Sequence, residues 1–218
     1  MSTAQAGSES ATFVAPELPD DAQLWLVRHG ETEWSAAGRH TSTTDVPLTA
    51  AGEEEGRALR PIFERVSPVL VMCSPRRRAQ ETARLAGLVV DETTDDLAEW
   101  DYGAYEGRTT DEIRSDNPDW SLWTVGTPGG EAQRQVAQRA DRVLTRAAKA
   151  LLDGPVVLVG HGHFSRVLAA RWIGLPAAGG AHLLLGTAAL AVLGAQYGVP
   201  AIVRWNLPAP DGGVGGEG

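Results

Sequence analysis

The sequence predicts a single α/β domain with a mostly parallel central sheet that is flanked by helices on both faces. Short apolar runs alternate with helix-like segments along most of the 218 residues, which is the pattern of repeated strand–helix units. The apolar runs contain few polar residues, as expected for strands that are buried on both faces. The length suits one domain with a sizeable core.

The first predicted strand is the apolar run at residues 24–27. A helix is predicted over residues 49–65, because Thr49 is a suitable N-cap and acidic residues fill the early turns. Residues 69–73 are the next apolar run and the second predicted strand. The first third of the domain is therefore predicted as strand, helix and strand.

A second helix is predicted over residues 75–85, with Pro75 at its first position and Gly87 just beyond its end. The β-branched residues 88–90 follow as a short predicted strand. Residues 131–152 carry a long helical pattern that ends close to a glycine. This helix would cross back to the next strand of a parallel sheet.

The last part of the chain contains three further apolar runs. Residues 156–159 are predicted as a strand and residues 163–172 as the helix that follows it. Residues 188–193 and 201–205 are two more candidate strands. These elements complete the predicted sheet.

Both ends of the chain are predicted to lie outside the domain. Residues 1–20 are small and polar and are expected to be a disordered lead-in, and the domain is placed at residues 21–207. Residues 208–218 are glycine-rich and are expected to be a flexible tail.

Composition excludes several classes of partner. The net charge of −9 and the absence of a dominant basic patch argue against nucleic acid and anionic membranes. No run approaches the roughly 18 apolar residues of a membrane span, and the N-terminus does not resemble a signal peptide. The single cysteine, Cys73, fits a reducing compartment, so we expect a cytoplasmic protein. The HGH at residues 161–163 is a weak zinc pattern without a second His/Cys cluster.

Ionisable side chains follow three of the predicted strands. Ligands of open parallel sheets bind beyond the carboxyl ends of the strands, and these ends meet at one edge. Arginine suits phosphate because its planar guanidinium can bond two oxygens. The sequence therefore predicts an anion site at this edge. The side chains are Arg28 and His29, then Arg76, Arg77 and Arg78, and finally His161.

Four segments in order resemble the motifs of the histidine phosphatase superfamily, the phosphoglycerate mutase-like proteins. They are LVRHGETEW, CSPRRRAQETA, LAEWDYGAYEG and VVLVGHGHFSR. The resemblance spans roughly residues 24–170. A lone RHG would be a weak signal, whereas four elements in the right order are a strong one.

The resemblance implies a mechanism as well as the fold. By the family's pattern, His29 is the nucleophile and forms a phosphohistidine, while Arg28, Arg78 and His161 surround the transferring phosphoryl group. Glu99 is implied as the proton donor to the leaving alcohol and then as the base that activates water. No metal and no cofactor are implied, because the arginines offset the phosphoryl charge.

A second group of residues is implied to bind substrate. Ser35 departs from the family pattern, because many relatives carry asparagine at the matching position. Arg166 is left open, since it could touch substrate or hold a carboxylate at the sheet edge. The candidate substrate-binding residues are Ser35, Thr41, Ser42, Tyr102, Gly162 and His163.

Aromatic residues offer candidate walls for the pocket. Trp34, Trp100 and Trp123 could line it or simply pack in the core, and the sequence does not decide between the two. A rim that contained Trp100, Trp120 and Trp123 would suit a sugar or an aromatic phosphomonoester.

The choice between phosphatase and mutase depends on the segment after the glutamate motif. Cofactor-dependent mutases of the family carry an arginine pair there, whereas residues 108–131 are acidic and contain no such pair. The PGGE at 128–131 also resembles the phosphatase branch, and the chain looks most like bacterial acid phosphatases once labelled as mutases. We therefore expect a metal-independent acid phosphatase that hydrolyses a small phosphorylated metabolite. The alternatives are a phosphoglycerate mutase-type phosphoryl transferase and a non-catalytic protein that binds a phosphorylated ligand.

The resemblance leaves the natural substrate and the oligomeric state open. A homodimer is common among members of the family, and it is the one protein partner that the resemblance offers.

Overall fold

In the computed structural model of the protein, a six-stranded mixed sheet forms the centre of the domain. The structure describes Phe13 and residues 17–210. The strands lie in the order β3-β2-β4-β1-β5-β6. Their bounds are Leu24–Arg28 (β1), Leu70–Cys73 (β2), Glu92–Thr93 (β3), Val156–Gly160 (β4), Leu190–Gln196 (β5) and Val199–Leu207 (β6).

The direction of pairing differs between the two sides of the sheet. β4 pairs in parallel with both β1 and β2, and β2 pairs in parallel with β3. β5 pairs antiparallel with β1, and β6 pairs antiparallel with β5. The predicted α/β fold with a mostly parallel sheet is confirmed, while β5 runs opposite to the other five strands.

Helices cover both faces of the sheet. On one face α6 and α7 pack on Leu24, Leu26 and Leu158. On the other face α4 and the residues around α3 pack on Val27 and Val159. Adjacent residues of β1 thus point to opposite faces, as the pleat of a strand requires. The helix bounds are Glu33–Ala36 (α1), Ala50–Ala58 (α2), Arg60–Phe63 (α3), Arg77–Leu85 (α4), Thr110–Asp116 (α5), Gln133–Ala150 (α6) and Gly162–Trp172 (α7).

The helix predicted over residues 49–65 is two helices. Thr49 caps the first, as predicted, by accepting the N–H of Gly52 at 3.0 Å. The break falls at Leu59, and Pro61 lies in the first turn of the second helix. Proline cannot donate to the preceding turn, so the continuous helix that the pattern suggested is interrupted there.

Two predictions around the next helix were wrong. Pro75 precedes α4 by two residues, and Arg76 is the N-cap. Residues 88–90 contain no strand; the pairing with β2 starts at Glu92 instead. Gly87, with a φ of +76°, does follow the end of α4. A left-handed residue there turns the chain back toward the sheet edge.

Most of the predicted lead-in and tail lies outside the described residues, so the domain bounds stay a prediction. Within the part of the chain that the structure describes, no helix combines the length and apolarity of a membrane span. The cytoplasmic location also stays a prediction.

Candidate active site

A cavity of about 210 Å³ opens at the carboxyl ends of β1 and β4. β1, β2 and β4 are parallel neighbours, so the residues that follow them meet at one edge. Most of the site residues predicted from the sequence line this cavity, together with several residues that were not predicted. It is lined by Arg28, His29, Ser35, Gly38, Arg39, His40, Thr41, Glu99, Tyr102, Thr110, Gly162, His163, Arg166 and Leu185.

His29 lies at the floor of the cavity and is only 4% exposed. Its Nδ1 lies 2.7 Å from the carbonyl oxygen of Gly30, which can only accept, so Nδ1 carries the ring hydrogen. Burial, followed by the charges of Arg78 and Arg28, holds the pKa of His29 well below its ordinary value. The ring is therefore neutral, and its Nε2 keeps a free lone pair.

Arg28 approaches the backbone of the α7 N-terminus closely. Its Nη1 donates to the carbonyl of Leu185 at 2.6 Å, which brings the loop before β5 to the site. A Cβ on Gly162 would lie 3.2 Å from Nε and 3.3 Å from Cζ of Arg28. Glycine at this position is therefore what gives the guanidinium its room.

Arg78 is fully buried behind the loop that follows α1. Its Nη1 donates to the carbonyl of Thr44 at 3.0 Å, and its Nη2 donates to the carbonyls of Thr41 and Ser42 at 3.1 and 3.3 Å. Its Nε has no hydrogen-bond partner among the described residues. The guanidinium is thus held from one side, and its positive charge lowers the pKa of His29.

His161 is fully buried at the N-cap of α7, with its ring 5.2 Å from that of His29. Its Nε2 lies 2.7 Å from Oγ of Ser74, which itself accepts the N–H of Arg76 at 3.3 Å. When the Ser74 hydroxyl donates to Nε2, the ring hydrogen lies on Nδ1. That Nδ1 has no partner among the described residues. Burial and the charge of Arg78 hold the pKa of His161 well below its ordinary value.

Glu99 lines the cavity with a carboxylate that accepts three backbone N–H groups. Its Oε1 accepts from Trp100 at 2.9 Å and from Phe164 at 2.8 Å, and its Oε2 accepts from His163 at 3.0 Å. Two of these donors belong to the first turn of α7, where a carboxylate also meets the positive end of the helix dipole. Each carboxylate oxygen has about two acceptor sites, so Oε2 keeps one for a ligand.

Tyr102, His163 and His40 form one wall of the cavity. The Tyr102 hydroxyl lies 2.6 Å from Nδ1 of His163, whose ring stacks on His40 at a centroid distance of 5.9 Å. Burial, together with the charge of Arg166, holds the pKa of His163 well below its ordinary value. Burial also lowers the pKa of His40 and raises that of Tyr102. The wall is therefore uncharged.

The hydroxyl residues after the first motif have different positions. Ser35 lines the cavity, but its hydroxyl also bonds the backbone of Thr32 in the capping box of α1. Thr41 lines the cavity as well. Ser42 is buried, and its N–H donates to the carboxylate of Glu106 at 2.9 Å. Ser42 thus helps to fix the loop whose backbone carbonyls accept the hydrogen bonds of Arg78.

None of the candidate tryptophans lines the cavity: Trp100 and Trp120 pack in the core, Trp123 packs against it, and Trp34 is half-buried outside it. Trp100 and Trp120 are buried at 0% and 2% exposure. Trp123 lies under Arg166, whose Cζ is 4.6 Å from the ring centroid. Arg166 lines the cavity and donates to the carbonyls of Gly180 and Ala181, and it holds no carboxylate of the described residues.

Arg77 and Arg76 differ in exposure. The Arg77 side chain is 65% exposed and points to Glu81. Arg76 has a buried Nε without a partner among the described residues, and its positive charge lowers the pKa of His161.

His161 and His163 do not converge on a common point, since one bonds Ser74 and the other Tyr102. Among the described residues, no cluster of three His, Cys, Asp or Glu side chains is placed to hold a metal ion.

Arg39, His40, Thr110 and Leu185 are lining residues that the sequence motifs did not supply. His40 was adjacent to the predicted loop and could have been included on that ground. Leu185 lies in a loop about 157 residues from Arg28, and no local pattern connects the two.

Comparison with known proteins identifies the family. Residues 24–208 match the model of the histidine phosphatase superfamily, branch 1. An acid phosphatase of Mycobacterium tuberculosis is 46% identical over 179 residues, which cover 81% of this chain and 88% of the relative. A sedoheptulose 1,7-bisphosphatase of Saccharomyces cerevisiae is 36% identical over 186 residues, with 69% of this chain and 67% of the relative covered.

A solved structure of an open reading frame product of Mycobacterium tuberculosis shares the fold. It superposes with a TM-score of 0.84 at 44% identity, and the match covers 87% of this chain and 99% of that chain. The predicted fold, the family and the phosphatase class of enzyme are confirmed. The chain belongs to branch 1 of the histidine phosphatase superfamily.

Proposed function

We propose that the protein is a metal-independent phosphomonoester hydrolase that acts through a phosphohistidine on His29. The observation that carries the proposal is a neutral, buried histidine whose free Nε2 lies among cationic and N–H donor groups at the strand ends. A histidine in this state is a nucleophile, and the surrounding donors suit an anionic electrophile.

The donors suit the three equatorial oxygens of a transferring phosphoryl group. Nε of Arg28, Nε of Arg78 and Nδ1 of His161 are buried and have no partner among the described residues. Phosphate oxygens would accept from these atoms, which otherwise carry a desolvation cost. The positive charge also stabilises the transition state without a metal.

In the first step, Nε2 of His29 attacks phosphorus, an N–P bond forms and the P–O bond to the alcohol breaks. Glu99 enters this step protonated on Oε2, the oxygen that accepts only one backbone N–H, and gives that proton to the departing oxygen, so that an alcohol leaves in place of an alkoxide. In the second step, water attacks the phosphohistidine while Glu99 takes the proton of the water. The N–P bond breaks, and inorganic phosphate leaves.

Hydrolysis is favoured over mutase chemistry by the position of the basic residues after the glutamate motif. Arg108 donates to the carbonyl of Glu112 and to the carboxylate of Asp116, at 2.6 and 2.5 Å. Arg114 donates to the carbonyl of Trp120 at 3.0 Å. Both cations are thus bound locally, and a second phosphate in the cavity would not meet an arginine pair from this segment.

The substrate class that we propose is a small phosphorylated metabolite. A cavity of about 210 Å³ admits a compact molecule rather than a polymer. The named relatives act as an acid phosphatase and as a sugar bisphosphatase, which agrees with such a substrate.

The proposal is tested by His29→Ala in a p-nitrophenyl phosphate assay between pH 4 and 8. We expect kcat/KM to fall by about 10³-fold or more, because the nucleophile is removed. His182→Ala, which changes an exposed histidine, should leave kcat/KM unchanged. Turnover of the His29 variant at the wild-type rate would refute the phosphohistidine mechanism.

The mutase alternative has a separate test. We expect 3-phosphoglycerate with catalytic 2,3-bisphosphoglycerate to yield little 2-phosphoglycerate relative to free phosphate. Rapid formation of 2-phosphoglycerate without phosphate release would refute the proposed hydrolase and support the mutase-type phosphoryl transferase.

A further inference from the structure

Glu131 and Arg139 form an ion pair behind the cavity, and neither is among the described residues that line it. Nε of Arg139 donates to Oε1 of Glu131 at 2.8 Å, and Nη2 donates to Oε2 at 2.7 Å. The side chain of Arg139 is 11% exposed and that of Glu131 is 15% exposed. This two-point geometry fixes the plane of the guanidinium.

The remaining N–H groups of Arg139 hold the backbone that leads to Glu99. Nη1 donates to the carbonyls of Asp96 and Ala98 at 2.9 and 2.8 Å, and Nη2 lies 3.4 Å from the carbonyl of Glu99 itself. One side chain thus contacts three carbonyls within four consecutive residues. Its position on α6, an 18-residue helix, gives the contact a rigid base.

Glu131 holds the backbone on the other side of Glu99. Its carbonyl accepts the indole N–H of Trp100 at 2.8 Å, and its N–H donates to the carbonyl of Asp101 at 3.0 Å. The segment that carries Glu99 is therefore fixed before the residue by the Arg139 side chain and after it by the backbone of Glu131. The Glu131 side chain acts on this segment through its ion pair with Arg139.

Arg139 also contacts the residue whose N–H binds the Glu99 carboxylate. Its Cζ lies 4.2 Å from the ring centroid of Phe164, within the range of a cation–π contact. The N–H of Phe164 donates to Oε1 of Glu99 at 2.8 Å. The guanidinium thus contacts both the backbone of Glu99 and the first turn of α7.

We propose that Glu131 and Arg139 are positioning residues for Glu99, which fix the direction in which its carboxyl group faces the cavity. This rests on the proposed role of Glu99 as the proton donor. A misplaced Glu99 slows the departure of the alcohol to the extent that the alcohol needs its proton, so the loss in kcat/KM depends on the leaving group. Its second role, as the base toward water, follows alcohol release and does not enter kcat/KM. Departing p-nitrophenolate needs little protonation, whereas a departing alkoxide needs it fully.

The test compares kcat/KM for p-nitrophenyl phosphate and for glycerol 2-phosphate, an alkyl phosphate, in Arg139→Gln and Glu131→Gln. kcat/KM reports the steps up to release of the alcohol. In each variant we expect kcat/KM for the alkyl phosphate to fall at least about tenfold further than kcat/KM for the aryl phosphate. Arg139→Lys keeps the charge but cannot make the forked contacts, so a smaller shift in the same direction is expected.

Asp141→Asn is the matched control. Asp141 lies on the same helix and forms a similar two-point ion pair with Arg171, at 2.9 and 2.8 Å, away from Glu99. We expect this variant to lose comparable stability and to keep the aryl-to-alkyl ratio of the wild type. Thermal melts of all variants separate folding from positioning.

Glu99→Gln distinguishes the two possible failures. If Glu99→Gln leaves the aryl-to-alkyl ratio unchanged, the proposed proton donor is wrong, and the positioning role is refuted with it. If Glu99→Gln shifts the ratio but the Glu131 and Arg139 variants match Asp141→Asn, the positioning role alone is refuted.

Discussion

Four buried nitrogen atoms near the strand ends have no hydrogen-bond partner among the described residues. They are Nε of Arg28, of Arg76 and of Arg78, and Nδ1 of His161. A buried donor without a partner typically costs about 1–3 kcal/mol, so such atoms are uncommon in folded proteins. Three of the four belong to residues that the family resemblance assigns to phosphate. At the scale of single residues, the site is thus organised around donors that the protein itself does not satisfy.

Gly162→Ala tests how closely these donors are placed. The added Cβ would lie 3.2 Å from Nε of Arg28, so the guanidinium must shift by a few tenths of an ångström. We expect kcat/KM for p-nitrophenyl phosphate to fall by about tenfold, since small displacements of a charged donor weaken transition-state binding. Steady-state kinetics measure this directly.

Gly160→Ala is the control for that substitution. A Cβ on Gly160 would meet only the carbonyl oxygen of Leu97, at 3.5 Å, which is an ordinary contact. Its activity should stay within about twofold of wild type. Equal losses in the two variants would mean that the space beside Arg28 is unimportant.

Much of the site at this scale could be predicted, because the residue types follow the strand ends directly. His29, Arg28 and Glu99 all line the cavity. Ser42 and the tryptophans do not line the cavity, which the sequence could not show, since whether a side chain faces the cavity or the core depends on loop conformation. The contribution of Leu185 comes from its backbone carbonyl, which no side-chain motif can indicate.

At the scale of elements, α2 and α4 hold the turn that follows β1. The N–H of Gly30 donates to Oγ1 of Thr82 on α4, at 3.0 Å, and the N–H of Glu31 donates to Glu55 on α2, at 2.7 Å. The backbone of Gly52 touches the same turn, because a Cβ there would lie 2.1 Å from the carbonyl oxygen of Glu31. The helices therefore fix the position of His29 from behind.

Gly52→Ala should separate α2 from this turn. The clash is with backbone, which cannot rotate away, so we expect the free energy of unfolding to fall by about 3 kcal/mol. In Gly56→Ala, on the same helix, the new Cβ would meet the side chain of Leu85 at 3.1 Å. The nearest atom is the Cβ of Leu85, which cannot rotate away, so α2 and α4 must separate by a few tenths of an ångström. Alanine also gains about 1 kcal/mol of helix propensity, so a smaller loss than in Gly52→Ala is expected.

Urea unfolding of the two variants provides the measurement. Equal destabilisation by both substitutions would contradict a specific backbone contact between α2 and the turn after β1.

Element types were more predictable than element directions. Thr49 was recognisable as a cap because its hydroxyl can accept an N–H of the first turn. The reversed direction of β5 was not recognisable, because an apolar run looks the same in either direction. The break between α2 and α3 follows from Pro61, which lies only four residues before the predicted end of the helix and is easily read as a tolerated interruption.

At the scale of the whole molecule, the buried histidines connect the site to stability. His29 and His161 are 4% and 0% exposed, and burial, followed by the charge of Arg78, holds the pKa of each well below its ordinary value. In the unfolded chain both would titrate near the ordinary histidine pKa of about 6.5. Below that pH the unfolded state binds more protons than the folded state, so stability falls as the pH falls.

Urea unfolding at pH 7.5, 6.5 and 5.5 should show this loss. Each of the two histidines contributes up to about 1.4 kcal/mol per pH unit below pH 6.5. His161→Gln should reduce the slope by about one proton. A slope that is identical in wild type and His161→Gln would show that His161 does not remain neutral in the folded protein.

In the order of synthesis, the cavity is finished late. The carbonyl of Leu185 lies 157 residues after the Arg28 guanidinium that it binds. Its loop reaches the strand ends because β5 runs antiparallel to β1. A nascent chain that has emerged only through α7, which ends at Trp172, would carry His29 and His161 but would lack this acceptor. The contact that holds the Arg28 guanidinium thus forms only when the ribosome has supplied almost the whole domain.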